Sequence, residues 1–587
     1  MKALLFAAIL ALVFVVACSS DAKTSVRAPL NYSCFYELVE RGVIEMDAVR
    51  LDLRSHTLED YSPLNQLPYL TELYLWMHER NDISTLKYIE NLTSLRLDGH
   101  FKYANIVPLG YLAELTCLKL WAPDLKCLTP LEGLTNLRTL RLMGPGDFTP
   151  LVYLENLRVL QIYGLTGQPI ALGRLTNLTE LHLNGSRIED FGLFQTLTNL
   201  THISISLSAN ADITPLSNFP NLTNLNIGFN GDLTPLSQLT NLISLNVSMR
   251  HGNISPLGYL ENLTYLRLSA PLGNLAPLAN LTNLTHLNIR LGTVTDIRPL
   301  GYLTNLTHLD IGLNYIMNIS ALGSLVNLIE FRLANPYIIN IAAVGYMTNL
   351  ERLDLWVPRV NNITPLSSLT NLRELRLDTQ GIECIAPFGY MTYLTRLDFT
   401  RWHHVSDFSP LSNLKYLTRV DISSSRMGGN ADPFAEMTNL TFLRIRNSQI
   451  SDLTPFSQLT NLELLDLTGN PVYDLTPLSG LVNLRGLIIK GVNDEGILKD
   501  ITPVSSLENL NTLALQGNRI SDISPLSNLT ELLFLSIGAN DIRDVSPLFY
   551  LTNLRSLSID GNPLIYGAIE ELRNALDGVV LYRLFRW

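Results

Sequence analysis

The feature that most constrains this chain is a short apolar motif, Leu-x-Leu or Leu-x-Ile in most copies, that recurs 24 times between residues 51 and 559. Its copies lie 20 to 26 residues apart, 22 on average, and segments such as LTNLTHLNI (281–289), LTNLTHLDI (303–311) and LTNLRSLSI (551–559) nearly superimpose. A unit this short cannot enclose a core of its own, so the units must stack and bury their apolar residues against one another. Side chains alternate along a strand, which sends Leu309 and Ile311 inward and His308, Asp310 and Gly312 outward. With 47% hydrophobic and 16% charged residues among 587, the chain is not disordered. Such a length ordinarily means several domains, yet no Pro/Gly/Ser-rich linker or charge run interrupts the sequence after the first fifty residues. The longest gap between copies, from Leu487 to Leu513, carries Asp494 and Glu495 and reads as a loop bulging from one face.

Between strands the sequence supplies its own turn chemistry. An asparagine after the strand, as at Asn314, Asn470, Asn518, Asn540 and Asn562, can hydrogen-bond backbone groups of neighbouring turns, although several units lack it. Ser/Thr-Pro-Leu follows, as in Ser524-Pro525-Leu526 and Thr476-Pro477-Leu478. Here the hydroxyl is expected to cap a short helical or 3-10 segment that begins with proline. Outer turns are wider than strands, so the stack should curve into an arc with the parallel sheet on its concave face. Its sheet would run for about 110 Å at a strand spacing of about 4.8 Å. Open ends need covers. Residues 18–50 are read as tether and N-terminal cap, with Phe35, Tyr36, Leu38, Val39, Val43 and Ile44 at roughly helical spacing. Residues 560–587 are read as a C-terminal cap, with Ile569, Leu572, Ala575 and Leu576 on one helix face and Val579 to Leu581 as a closing strand.

The repeating unit, clearest in Leu510 to Leu526 (LNTLALQGNRISDISPL), resembles the leucine-rich repeat, and the resemblance extends over about residues 51–559. Its Asp-Ile/Leu-Ser/Thr-Pro-Leu segment is similar to that of bacterial internalin-like proteins. The resemblance implies an α/β repeat solenoid: a leucine-rich-repeat horseshoe with short helical or 3-10 turns on its convex face. No Ig-like region or C-terminal sorting motif accompanies the repeats, so host-cell adhesion does not carry over.

Residues 1–17, with Lys2 and an apolar run from Ala3 to Ala17, suit a signal peptide better than a spanning helix. Val15-Val16-Ala17-Cys18 resembles the lipobox of bacterial lipoproteins, which implies that Cys18 carries lipid and begins the mature chain. An ordinary cleaved signal peptide with an incidental cysteine is the alternative. The resemblance thus implies an extracytoplasmic, membrane-anchored protein, at the cell surface or in the periplasm of a bacterium, touching membrane through its lipid alone.

Several functions are excluded by subtraction. The segments outside the repeats are too short for a catalytic domain, and no Walker-type loop, Gly-x-Gly-x-x-Gly after a strand, His-Glu-x-x-His or Gly-x-Ser-x-Gly occurs. No enzyme activity, cofactor or metal is expected. A net charge of −11 speaks against nucleic acid as partner. Cys34, Cys117, Cys127 and Cys384 are scattered and read as free thiols. Asn-Leu-Thr triplets such as those at Asn177, Asn221 and Asn305 belong to the repeat consensus rather than marking glycans.

A binding function is left, and the outward strand positions are where it would reside. Near the N-terminal end Tyr74, Trp76, Lys119, Trp121, Arg141 and Tyr163 face out, residue types enriched in binding hot spots. Trp76 and Trp121 lie two strands apart, and packing over the sheet is the competing reading. Further along, Asp310, Arg332, Asp354, Arg376, Asp398, Asp421, Arg444 and Asp466 mostly alternate in charge. They form either a ladder that stabilises strand pairing or a recognition strip flanked by Arg352, Trp356 and Trp402. His286 and His308 occupy equivalent positions on adjacent strands, a weak candidate for metal or pH sensing against simple repetition. The expected function is recognition of a macromolecular partner through the concave face by a monomer, protein first and glycan second. An envelope assembly scaffold is the rival, and an enzyme with its site across the concave face is the third alternative.

Overall fold

The computed structural model describes residues 32–33 and 35–582 apart from the short segments 59–60, 78–81, 100–104, 123–124, 126, 144–146, 251–252, 313–314, 401–403, 424–426, 492–495 and 577–578. Cys18, Cys34, Asn314, Trp402, Asp494 and Glu495 therefore lie outside the described residues. The chain forms two compact units, Met1–Asn177 and Leu178–Trp587.

In the first unit, strands Arg50–Leu53, Glu72–Met77, Ser94–Gly99, Cys117–Trp121, Thr139–Met143 and Val159–Leu165 pair in parallel and in chain order. Leu51, Leu73, Leu95, Leu118, Leu140 and Leu160 fall in one register row, and all are buried. That alignment is what stacking requires: each leucine covers its predecessor and is covered by its successor. A short helix, Phe35–Glu40, contributes Phe35 and Leu38 to the buried set, and Ile44 follows it.

Among the described residues, the second unit continues the same logic through nineteen parallel strands from Glu180–Ile188 to Val580–Tyr582. Each sheet is backed by 3-10 segments of three to five residues, such as Thr364–Ser368 and Ser524–Leu526. At its C-terminal end the helix Ala568–Ala575 buries Ala568 and Leu572, with Leu576 just beyond, and Val580–Tyr582 pairs with Ser556–Ser558. The buried stripe therefore runs 568, 572, 576 at the four-residue spacing of a helix face, while the expected Ala575 is exposed and Ile569 half-buried.

Strand length falls along this unit, from five residues in Arg352–Trp356 to three in Leu464–Asp466 and in each strand up to Ser556–Ser558. Asparagine explains most of it. Asn470 Nδ2 donates to the carbonyls of Ile445 (2.6 Å) and Leu467 (2.9 Å), while its Oδ1 accepts from the amides of Ser448 and Ile450. Asn518, Asn540 and Asn562 repeat the Nδ2 donation. These side chains stand in for strand partners, so the backbone can leave the ladder early without stranding buried polar groups.

The Ser/Thr-Pro-Leu turns depart from expectation in one respect. In Ile523-Ser524-Pro525-Leu526 the capping position is Ile523, whose side chain is in the core and cannot accept a hydrogen bond. The acceptor is Asp522, whose carboxylate takes the Ser524 amide at 2.8 Å. Asp474 with Thr476 and Asn362 with Thr364 do the same. The hydroxyl is a second donor to the aspartate at Asp212 and Asp232, which holds both carboxyls below their ordinary value. Asparagines at the entry to many of the strands form another ladder, in which Asn177 donates to the Glu155 carbonyl (2.8 Å) and Asn305 to that of Thr282 (2.9 Å). Among the described cysteines, Cys117, Cys127 and Cys384 are free.

Candidate binding surface

Each strand presents two or three outward side chains, and parallel pairing turns these into continuous rows. In the first unit one row reads Asp52, Tyr74, Arg96, Lys119, Arg141 and Gln161, and the row two residues further along the strands reads Trp76, Asp98, Trp121, Met143 and Tyr163. The three large aromatics thus occupy alternate strands of a single row. Trp76 and Trp121 are 42% and 43% exposed. The Trp121 and Tyr163 rings meet across Met143, their centroids 4.8 Å apart and their planes tilted by 50°. Trp76 has no ring partner among the described residues, being separated from Trp121 by the buried carboxylate of Asp98, which accepts from Arg96 Nε at 2.6 Å. Tyr74 is engaged internally: the Arg50 and Arg54 guanidinium carbons lie 4.8 and 5.9 Å from its ring centroid, and its hydroxyl donates to Glu72. The six expected residues do share the outward face, with the row of aromatics beside a row of cations.

In the second unit the central row reads Asp310, Arg332, Asp354, Arg376, Asp398, Asp421, Arg444 and Asp466 in register. The row two residues earlier adds Glu330, Arg352, Glu374, Arg396 and Arg419, so charges alternate in two directions. Arg332 and Arg352 both meet Glu330 (2.9 Å each), Arg376 lies 3.4 Å from both Asp354 and Asp398, and Arg396 meets Asp398 at 2.8 Å. The pattern breaks once, where Arg396 faces Arg419 and Asp398 faces Asp421. Two contacts soften the clash: Arg419 lies 3.7 Å diagonally from Asp398, and Arg444, directly opposite Asp421 on the next strand, meets it at 2.7 Å. Trp356 is exposed at the edge of this patch, between Ala334 and Asp378 in its row.

Two of these aspartates titrate in opposite directions. Burial pushes the Asp354 carboxyl up, against the pull of Arg376 and Arg332. For Asp466 burial is again the largest single influence and acts upward. Hydrogen bonds from Arg446 (2.5 Å) and from the Thr468 hydroxyl and amide together outweigh it and hold the carboxyl below its ordinary value of 3.8. A depressed carboxyl stabilises the fold above its unfolded value, and that contribution is lost as pH falls through the folded value. Melting temperature should therefore fall below about pH 4 more steeply in the parent than in Asp466→Asn; parallel pH profiles for the two would contradict the assignment.

His286 and His308 stack face to face, with centroids 4.1 Å apart and planes 9° from parallel, and each Nδ1 lies 2.9 Å from the hydroxyl of the preceding threonine. Burial, with His286 nearby, pushes His308 below its usual value. No group of three or more metal-ligating side chains occurs among the described residues.

Comparison with known proteins agrees with this architecture. A family model described as leucine rich repeats (2 copies) matches residues 438–483. None of the curated proteins matches the chain. Among solved structures, a leucine-rich-repeat protein of Leptospira interrogans is 20% identical over 68% of this chain and 100% of its own, with a TM-score of 0.55. An internalin of Listeria monocytogenes is 28% identical over 54% of this chain and 85% of its own, with a TM-score of 0.43. The plant peptide hormone receptor RGFR1, solved in complex with RGF2, is 18% identical over 88% and 95% of the two chains, with a TM-score of 0.45. With apolar strands in register, 3-10 turns behind them and a solved protein of similar fold, the chain has the leucine-rich-repeat fold.

Proposed function

We propose that this chain is an extracytoplasmic binding protein, anchored by lipid on Cys18, that recognises a protein partner through the outward, concave face of its repeats. Leucine-rich-repeat folds commonly serve protein binding and are generally not enzymes. The observation that carries the reading is the exposure of Trp76 and Trp121 on one row, beside Lys119 and Arg141. Large aromatics standing over 40% exposed keep apolar area in water, and Trp, Tyr and Arg are the residues that dominate interface energetics. The charged patch of Asp310, Arg332, Arg352, Asp354, Arg376 and Asp398 is largely satisfied within the protein, so it serves chiefly to hold strand register in the second unit, with Trp356 as the apolar contact a partner would find there.

Two experiments test the address. Labelled palmitate should be incorporated by the parent and not by Cys18→Ser; equal labelling would remove the lipid anchor. Protease treatment of whole cells should release a surface-exposed binder. Full protection would instead favour an envelope scaffold facing the periplasm. For the surface itself, Trp76→Ala/Trp121→Ala should reduce partner capture by at least about tenfold while leaving the melting temperature nearly unchanged. Undiminished capture would move the binding face elsewhere.

A further inference from the structure

The arginines of the charged patch have carboxylate partners, and the first unit follows the same habit up to a point. Arg54 meets Asp52 at 2.6 Å, Arg96 meets Asp98 at 2.6 Å, and Arg50 lies 3.9 Å from Glu72. Lys119 and Arg141 break it. They are direct register partners on adjacent strands, and among the described residues neither side chain forms an ion pair or hydrogen bond. Like charges placed opposite each other weaken strand pairing, and Arg96, on the other side of Lys119, adds a third cation to the row. In a chain of net charge −11 this is a local concentration of uncompensated positive charge. It sits beside the tilted Trp121–Tyr163 pair, two residues along the same strands.

We infer that Lys119 and Arg141 seat a carboxylate of an acidic polypeptide segment, whose neighbouring apolar side chain rests on Trp121 and Tyr163. The inference rests on the reading of the outward face as the binding face and names the partner's chemistry. Two donors of opposite habit, a rotatable ammonium and a planar guanidinium, can converge on one carboxylate with charge-assisted hydrogen bonds. Spacing favours polypeptide. The cation row and the aromatic row are separated by two strand residues, about 6.8 Å, which is also the separation of side chains i and i+2 on one face of an extended peptide. A segment with Asp or Glu followed two residues later by Phe, Tyr or Leu therefore matches both rows at once. Two free cations are too few to track a nucleic-acid backbone.

The test uses the purified protein and an array of 12-residue peptides whose acidic, basic and neutral members share the same aromatic content, with polygalacturonate as an acidic glycan. The acidic peptides should bind preferentially, most strongly with the acid and the aromatic two residues apart, and binding should weaken as NaCl rises. Lys119→Gln/Arg141→Gln should reduce their affinity at least about tenfold, whereas Arg298→Gln, on the 3-10 segment Arg298–Tyr302 away from the strands' outward rows, should leave it unchanged. Equal binding of neutral peptides, binding of polygalacturonate in their place, or no binding at all would overturn the proposal. If the acidic peptides fail while partner capture is still lost in Trp76→Ala/Trp121→Ala, the binding face stands and only the carboxylate assignment falls. Unchanged capture in that variant would remove the face itself.

Discussion

Leu309→Asp is expected to destabilise the central repeats by about 4–5 kcal/mol, the largest effect of any substitution considered. Leu309 is 1% exposed and lies in register between Leu287 and Phe331, so a carboxylate there would have apolar neighbours above and below and no cation within the core. Because each repeat is held chiefly by its neighbours, the damage should extend to the adjoining units and appear as a broadened or split unfolding transition. The next residue provides the control. Asp310 points outward and accepts from Asn288 at 2.9 Å and Arg290 at 2.7 Å. These partners are partly exposed and can turn to water, so Asp310→Ala should cost less than about 1 kcal/mol. Denaturant titration of the two variants decides the matter, and equal losses would mean that the inward and outward assignment is wrong.

Asn540→Ala should cost about 3 kcal/mol, although it removes only one small polar side chain. Nδ2 of this buried residue donates to the carbonyls of Leu515 (3.0 Å) and Ile537 (3.0 Å), and its Oδ1 accepts from the Ile520 amide (3.1 Å). Removing it leaves a buried amide and two buried carbonyls without these partners, at a turn where Ala539 already adopts a positive φ of 51°. Asn540→Asp keeps the acceptor, loses the donors and should be no milder. A loss of under about 1 kcal/mol for the alanine variant would show that water replaces the side chain, and that the turn rather than the asparagine sets the early strand exit.

Much of this architecture was legible because a period of two within a period of 22 leaves little freedom. Once Leu309 and Ile311 point inward, the positions of Trp76, Trp121 and the Asp/Arg row follow from counting. What escaped the sequence depends on reach between side chains rather than on position. Asp466 belongs to an outward row, yet Arg444 and Arg446 fold over it and bury it completely, which no alternation rule anticipates. The capping role of Asp522 was present in the recurring Asp-Ile-Ser-Pro-Leu, but the hydroxyl of Ser524 was the more familiar cap. That Trp121 contacts Tyr163 across Met143, while Trp76 stands apart, follows from the placement of Asp98 between the tryptophans. The contrast between paired Arg96 and the unpaired side chains of Lys119 and Arg141 is likewise visible only when both rows are assembled.

The central claim is that the exposed aromatic row of the first unit is where a partner binds. The most direct measurement is the affinity of a captured envelope or host-surface protein for residues 19–587, compared with Trp76→Ala/Trp121→Ala and with Arg332→Gln/Arg376→Gln. The account predicts a loss of at least about tenfold for the tryptophan variant and less than about threefold for the arginine variant, with both folded. Loss in the arginine variant and none in the tryptophan variant would contradict it and shift the binding face to the charged patch.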